Sequence, residues 1–305
     1  MAGFHHSLSS RIVLLALLAG VGATACGAPA SRPARGPVAD QVQASLESGA
    51  RSFDHSRWGN LLAGGTDDGL VDYRFFQQRR NDLDAYLDRI AAVDLASLAP
   101  DHLKALLINA YNALTIRSIL DHPSVTSIRD IDGVWSEARH RVGGFDLTLD
   151  EIEHQLLRPF FKDPRIHFAV NCASRSCAPL PPWSYEGDRL EQQLEERTRH
   201  FLSDPRNVEI EGGTLRLSKY FDWYGKDFMA AGWTPTAESV AVFVNRYARP
   251  DVAAFIQAAD GNPPLAYAPY DWSLNAAVPP DPSVIPRRDA AASLPSGKIG
   301  WLTRL

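Results

Sequence analysis

The sequence predicts an α+β fold, a mainly helical single domain with a small β-sheet. Apolar residues recur at helical spacing, as at Leu83, Tyr86, Leu87 and Ile90. Runs that alternate as strands do are short and lie mainly in the second half of the chain. Hydrophobic residues make up 45% and charged residues 22% of the chain, which is typical of a packed domain and excludes general disorder.

The predicted helices rest on apolar spacing and on start and stop signals. A long helix is predicted over 101–120, and Pro123 lies just beyond its end. Thr148 stands three residues before Glu151, a capping-box spacing that begins a helix continuing to Arg158. The remaining predicted helices cover 38–46, 190–202, 237–248 and 252–259.

Short strands are predicted at three places. One follows a Gly-Gly turn, over 145–149. Two alternating runs around a second Gly-Gly pair, over 208–217, are typical of a hairpin. The third strand, over 166–171, bears most directly on function because it carries a histidine near its start and an asparagine at its end.

The first residues are typical of a secretory signal. Arg11 precedes an apolar run that is shorter than the ~20 residues a membrane span needs. Small residues stand directly before Cys26, which resembles a bacterial lipobox, although Ala23-Thr-Ala25 equally suits cleavage to a secreted protein. Residues 27–38 are rich in Pro, Ala and Gly and suit a tether. We therefore expect an exported, membrane-anchored lipoprotein, lipidated at Cys26 and facing the periplasm or the outer surface.

Composition and charge limit the predicted domain organisation and the classes of partner. The predicted parts are a signal peptide at 1–25, a tether at 26–39, a globular domain at 40–276 and a Pro-rich C-terminal tail at 277–305. The formal net charge of -5 excludes the basic stripe of a nucleic-acid binder. Three cysteines exclude a disulfide-dense scaffold. Expected partners are the membrane, through the lipid anchor, and an unidentified envelope ligand or substrate, and no cofactor is expected.

The segment 165–180 carries the candidate catalytic residues His167, Asn171, Cys172 and Cys177. A nucleophilic thiol needs a nearby base or cation, and the histidine lies within ten residues of both cysteines. Because side chains alternate along a strand, His167 and Asn171 would share one face. Cys172 would meet His167 only if the chain turns at Asn171.

A second stretch places polar groups within an apolar helix. Asn109, Tyr111 and Asn112 are candidate binding residues, and the two asparagines lie on one helix face although Asn is a poor helix former. Their amides either contact a substrate or the catalytic histidine, or belong to a buried network that fixes neighbouring loops.

A third stretch combines carboxylates with aromatic rings. Asp222, Trp223 and Tyr224, with Asp227 nearby, form either a corner of the core or the wall of a cleft. In the second case a carboxylate would orient His167, as the third member of a triad does. We expect His167, Asn171 and one of the two cysteines to converge at one concave surface with Asn109, Asn112 or Asp222.

A zinc site is also conceivable from ligand type alone. His154, His167, Cys172 and Cys177 are suitable ligands, but their spacing matches no standard zinc pattern, so no metal is expected.

The order of motifs resembles the domain of unknown function 547 family. The resemblance rests on Ile108-Asn-Ala-Tyr-Asn-Ala-Leu-Thr-Ile116, Asp163-Pro-Arg-Ile-His-Phe-Ala-Val-Asn-Cys172, Ser176-Cys177, Phe221-Asp-Trp-Tyr-x-x-Asp-Phe228 and Tyr270-Asp-Trp-Ser-Leu-Asn275. The family usually has proline directly after the second cysteine, where this chain has Ala178 followed by Pro179. The resemblance implies a domain family and no particular activity.

Two function classes stay open. The first is a non-catalytic envelope module for binding or structure, in which Cys172 and Cys177 form a disulfide that rigidifies a loop. The alternative is a thiol hydrolase or acyl transferase with papain-like or transglutaminase-like chemistry on an amide or ester bond. In that case a cysteine attacks, His167 is the base, and an Asn or Asp orients the histidine.

Overall fold

The computed structural model describes residues 32–278, so the predicted signal peptide, Cys26 and nearly all of the predicted C-terminal tail lie outside the described residues. The α-helices within this range are α1 (Pro37–Ser48), α2 (Ser56–Gly65), α3 (Tyr73–Gln78), α4 (Arg80–Ala92), α5 (Pro100–Asp121), α6 (Leu190–Ser203), α7 (Tyr220–Trp223), α8 (Val240–Asn245) and α9 (Pro250–Ala258). A π-type helix covers Glu151–Phe161, and short 3₁₀ turns include Pro164–Phe168 and Gly225–Phe228.

The strands of residues 32–278 form three small sheets. Strands β1 (Thr66–Asp67) and β2 (Leu70–Val71) pair antiparallel, as do β3 (His140–Val142) and β4 (Phe145–Leu147). The third sheet contains β5 (Val208–Glu211), β6 (Thr214–Leu217) and β7 (Leu265–Tyr267), with β7 parallel to β6. The predicted fold class, a mainly helical α+β domain, is confirmed, with its strands divided among separate sheets.

Helix α5 is the centre of the main core. Of its 22 residues, 17 are buried, so it has no solvent-facing polar stripe and other elements surround it. Helices α1 to α4 and the π-type helix pack around it. A second core is rich in phenylalanine and joins the third sheet to α6, α8 and α9. In the part of the chain that the structure describes, no helix has both the length and the apolar composition needed to cross a membrane.

The predicted capping box is present at the start of the π-type helix. The Glu151 N–H donates to Thr148 Oγ1 over 3.1 Å, and the Thr148 N–H donates to Glu151 Oε2 over 2.8 Å. Each side chain thus satisfies a backbone donor that the helix end leaves unpaired. This start fixes the register of a helix that carries several polar residues toward the centre of the protein.

The predicted strand at 166–171 is wrong. The chain forms the 3₁₀ turn Pro164–Phe168 instead, and Asp163 caps it by accepting the Arg165 N–H over 2.9 Å. Lys104 and Arg165 both pair with the Asp163 carboxylate, which holds the turn against α5. Strand alternation therefore does not decide where His167 points.

Candidate functional site

A cleft of about 420 Å³ gathers most of the reactive side chains. It opens beside the π-type helix, between the loop that contains Trp135, the cysteine loop and the segment around Tyr270. Its polar and aromatic lining includes Tyr111, Arg129, Asp132, Trp135, Asp150, Glu153, His154, His167, Cys172, Cys177, Tyr220, Trp223, Tyr224, Tyr270 and Trp272. Six of the predicted site residues therefore meet at one concave surface: His167, Cys172, Cys177, Tyr111, Trp223 and Tyr224. The other four predicted residues do not line it: Asn109, Asn112, Asn171 and Asp222.

His167 is buried at the base of this cleft, with one nitrogen partnered and one free. Its Nε2 lies 2.9 Å from Asp227 Oδ2, and its ring stacks on Tyr224 with centroids 3.9 Å apart. Among the described residues Nδ1 has no hydrogen-bond partner, and Glu153 Oε1 lies 3.9 Å away. Because an ionised carboxylate can only accept, Asp227 favours the tautomer with hydrogen on Nε2 and a lone pair on Nδ1. Burial lowers the pKa of His167 although Asp227 opposes this, so the ring is neutral near pH 7 and offers a free base.

Asp227 is the carboxylate that orients the histidine. Arg158 donates to it twice, from Nε to Oδ2 over 2.7 Å and from Nη2 to Oδ1 over 3.0 Å. Burial alone would raise the pKa of Asp227, but the hydrogen bonds from His167 and Arg158 lower it to about 2. Asp222 instead lies at the surface, 2.6 Å from Lys219. The difference arises because Asp227 sits on the inward side of the turn after α7.

Glu153 is a buried acid that sequence reasoning missed. Tyr111 and Tyr224 hydrogen-bond to its carboxylate. Burial raises the pKa of Glu153, while His167 and Arg158 counteract part of this rise. A signal was present, since Glu153 stands four residues from both Leu149 and Leu157, and this spacing puts a helical residue on the buried face.

The neighbouring His154 is also buried and neutral. Arg158 Nη1 lies 3.1 Å from its Nδ1, and its Nε2 is 3.8 Å from Asp150 Oδ1. Burial, reinforced by Arg158, lowers the pKa of His154 to about 4. Both histidines of the cleft thus carry no charge at neutral pH. In the described range, no group of three or more His, Cys, Asp or Glu side chains is arranged to hold a metal ion.

The two cysteines are free thiols, so the disulfide expected for the non-catalytic module is not formed in this structure. The Cys172 N–H and the Tyr220 hydroxyl donate to Cys177 Sγ over 2.8 and 3.0 Å. Cys172 Sγ lies 3.3 Å from Ser174 Oγ and 3.4 Å from Tyr270 Oη. Neither sulfur is hydrogen-bonded to His167 among the described residues; the three groups meet as walls of one cleft.

The thiols differ in acidity and access. A hydrogen bond from Cys177 lowers the pKa of Cys172 to about 7, with help from Ser174 and Tyr270 and against the effect of burial. Burial raises the pKa of Cys177 well above its usual value. Cys172 is half-buried and Cys177 is buried. Cys172 is therefore the thiol that loses its proton first and the more accessible of the two.

Asn112 and Asn171 hold the backbone that leads into the cysteine loop. Asn112 accepts the Asn171 N–H over 2.7 Å and donates to the Ala169 carbonyl over 3.0 Å. Asn171 donates to the Ala178 carbonyl and accepts the Ala173 N–H, over 2.8 and 2.9 Å. These bonds turn the chain at Asn171, and Cys172 directly after the turn lines the same cleft as His167. Their role in this structure is to fix the loop.

Asn109 forms the same pair of bonds at another place. Its Nδ2 donates to the Tyr185 carbonyl over 2.7 Å, and the Tyr185 N–H donates to its Oδ1 over 3.0 Å. The two asparagines of α5 thus clamp two different loops, and only the Asn112 clamp leads to the cleft.

Residues 95–202 match the model of a protein family described as "Protein of unknown function, DUF547". The match supports the domain family that the motifs resemble. It includes both cysteines and His167, whereas Tyr220, Asp227 and Tyr270 lie beyond it. Comparison with curated proteins and with solved structures gave no match.

Proposed function

We propose that the cleft is the active site of a thiol hydrolase or acyl transferase that acts on an amide or ester bond. The observation that supports this most is the unpartnered Nδ1 of His167, which lines the same cleft as the Cys172 thiol. A neutral imidazole that a carboxylate holds at Nε2 and that keeps a lone pair on Nδ1 beside a thiol has the arrangement of a general base for a cysteine nucleophile. The free thiols also favour this class over the module that requires a disulfide.

Each group has a defined part in the reaction. Cys172 Sγ passes its proton to His167 Nδ1 and attacks the carbonyl carbon, forming a tetrahedral adduct. The protonated His167 then gives that proton to the departing amine or alcohol as its bond to the carbonyl carbon breaks, which leaves a thioester on Cys172. Water or another nucleophile gives a proton to His167 and attacks the thioester, and His167 returns that proton to the Cys172 sulfur as the acyl group leaves. Asp227 stabilises the imidazolium and keeps the ring oriented.

Alkylation by iodoacetamide across a pH series tests this proposal. Peptide mass spectrometry should show Cys172 modified with a midpoint near pH 7, while the matched Cys177 reacts only at higher pH. Release of p-nitrophenol from p-nitrophenyl acetate should disappear in Cys172→Ser and fall strongly in His167→Ala. A Cys172 that stays unreactive below pH 9, its ordinary thiol pKa, would contradict the assignment, as would ester cleavage unchanged in Cys172→Ser.

A non-catalytic binding module is the second candidate. The Asn112 and Asn171 bonds favour it because they make the cysteine loop rigid, which lowers the entropic cost of binding. In that case Cys172→Ser should retain ligand binding, and Cys172 should show no acyl-enzyme by mass spectrometry after exposure to activated esters.

We also propose that the chain is an exported lipoprotein of the cell envelope. Small residues before Cys26 and the Pro/Ala/Gly-rich tether support this. Mass spectrometry of the mature protein should find diacylglyceryl-modified Cys26 at its N-terminus. A mature N-terminus without lipid would contradict the anchor and indicate a secreted protein.

A further inference from the structure

One wall of the cleft is a continuous cluster of aromatic rings. Trp272 lies at its centre, with ring centroids 4.5 Å from Tyr270, 5.8 Å from Trp223 and 6.3 Å from Trp135. All four side chains are half-buried, and all line the cleft. A cation already lies on this wall, since the Arg129 Cζ is 5.3 Å from the Trp272 ring centroid. The aromatic wall can therefore receive positive charge on its ring faces.

The charges around the cleft favour a cationic ligand. Three carboxylic acids line it, Asp132, Asp150 and Glu153, against the single arginine among the lining residues. Burial raises the pKa of Asp150 and of Glu153, so the exposed Asp132 is the acid on which the attraction mainly rests. Lowered pKa values keep His154 and His167 uncharged there at neutral pH. A half-buried site with this excess of acids attracts a positive group and disfavours an anion.

Two polar atoms in the cleft are available to a ligand. In the described chain, Trp135 Nε1 and His167 Nδ1 are buried without a hydrogen-bond partner, and both residues line the cleft. The ring nitrogen of His167 sits beside the acids, while Trp135 belongs to the aromatic wall. A ligand that spans the cleft would pass from one to the other.

From these features we infer the substrate class: the cleft takes an amide or ester that carries a positively charged ammonium group. The ammonium lies between the aromatic wall and the carboxylates, and the bond to be cleaved lies toward Cys172 and His167. The inference rests on the proposed function for the position of the cleaved bond, whereas recognition of the cation does not depend on catalysis. The aromatic ring faces and the carboxylates both attract the positive charge of the ammonium group. A neutral group of the same shape therefore loses both attractions.

Titration calorimetry with choline and its neutral isostere 3,3-dimethylbutan-1-ol tests the inference on the full chain. Choline should bind at least about tenfold more tightly than the alcohol, since a cation on partly desolvated tryptophan gains that much. Asp132→Asn should weaken choline binding severalfold, whereas Asp88→Asn, an exposed carboxylate on α4 outside the cleft, should not. Trp272→Leu should weaken it as well, with Tyr267→Leu as the exposed aromatic control.

The outcomes separate this inference from the proposed chemistry. Equal binding of choline and the alcohol, binding of neither, or no effect of Asp132→Asn overturns the inference. Asp132 is exposed, so its variant remains decisive if Trp272→Leu does not fold. If choline binds more tightly than the neutral alcohol but Cys172 proves unreactive, only the proposed thiol chemistry is refuted.

Discussion

Replacing Asn112 by alanine tests how the fold positions the Cys172 thiol. The change removes two hydrogen bonds and leaves the Ala169 carbonyl and the Asn171 N–H buried without partners. Each unsatisfied buried group costs about 1–3 kcal/mol, so we expect the free energy of unfolding to fall by roughly 3 kcal/mol. A domain of this kind has a stability of about 5–15 kcal/mol, so the variant should still fold.

The matched control is Asn109→Ala. It lies on the same helix, is equally buried and also loses two bonds to backbone, but those bonds hold Tyr185. Urea denaturation should show similar losses of stability for the two variants. Iodoacetamide kinetics under native conditions should differ, because only the Asn112 clamp holds the turn before Cys172. We expect the alkylation midpoint of Cys172 to move up from about 7 toward the ordinary thiol value in Asn112→Ala alone.

Two results would refute this reasoning. If both variants lose the same stability and both keep the Cys172 midpoint, the clamp does not position the thiol. If Asn112→Ala costs less than about 0.5 kcal/mol, the two backbone groups find other partners, and the buried network is not what holds the loop.

Three further predictions concern other parts of the domain. Asp227→Asn should lower the free energy of unfolding by about 3 kcal/mol, because buried Arg158 loses its ionic partner, and a loss below 1 kcal/mol in urea denaturation would contradict this. Burial lowers the pKa of His55 from 6.5 to about 3. The unfolded chain therefore binds the extra proton below pH 6.5, and stability should fall with decreasing pH by up to about 1.4 kcal/mol per unit between pH 6.5 and 3. Denaturation across this range should be less pH-dependent in His55→Gln, and an identical slope would exclude His55 as the cause. Thr148→Ala should cost about 1 kcal/mol through loss of the capping box, measured by thermal unfolding, with the half-buried Thr214→Ala at the start of β6 as the comparison.

Local rules predicted α1, α5, α6 and α9 close to their observed bounds, but they gave 237–248 for the helix Val240–Asn245, did not predict α2 and assigned the cysteine segment wrongly. The 101–120 helix and the 208–217 hairpin follow from spacing and turn residues, which act over a few positions, and both are present as α5 and β5–β6. The 166–171 strand was predicted from the same kind of pattern. Asp163 and its two cationic partners override that pattern, and one of them, Lys104, lies 59 residues away in the chain.

The candidate site shows the same division. Its residue types were visible in the sequence, because histidine and two cysteines within ten residues indicate thiol chemistry wherever they fold together. The sequence could not predict which carboxylate hydrogen-bonds to His167. Asp222 and Asp227 lie within one short segment, and only packing decides which of them faces inward. Glu153 was overlooked because its acid side chain interrupts an apolar helical face. Such an acid indicates a buried polar site only once that face is known to be buried.

The cysteine loop is tied to a distant part of the chain. The Arg175 and Ser176 N–H groups donate to the carbonyls of Ser273 and Asp271, and the Asn275 side chain donates to Asn171 Oδ1. The segment that matches the family ends at residue 202, about 70 positions earlier. A fragment cut at that boundary would keep both thiols. It would lose the backbone segment 271–275 that hydrogen-bonds to the cysteine loop and the Asp227 carboxylate that hydrogen-bonds to His167. The site is consequently a property of the whole domain, and transplanting the family-matched segment into another scaffold would transfer its residues without the contacts that hold them.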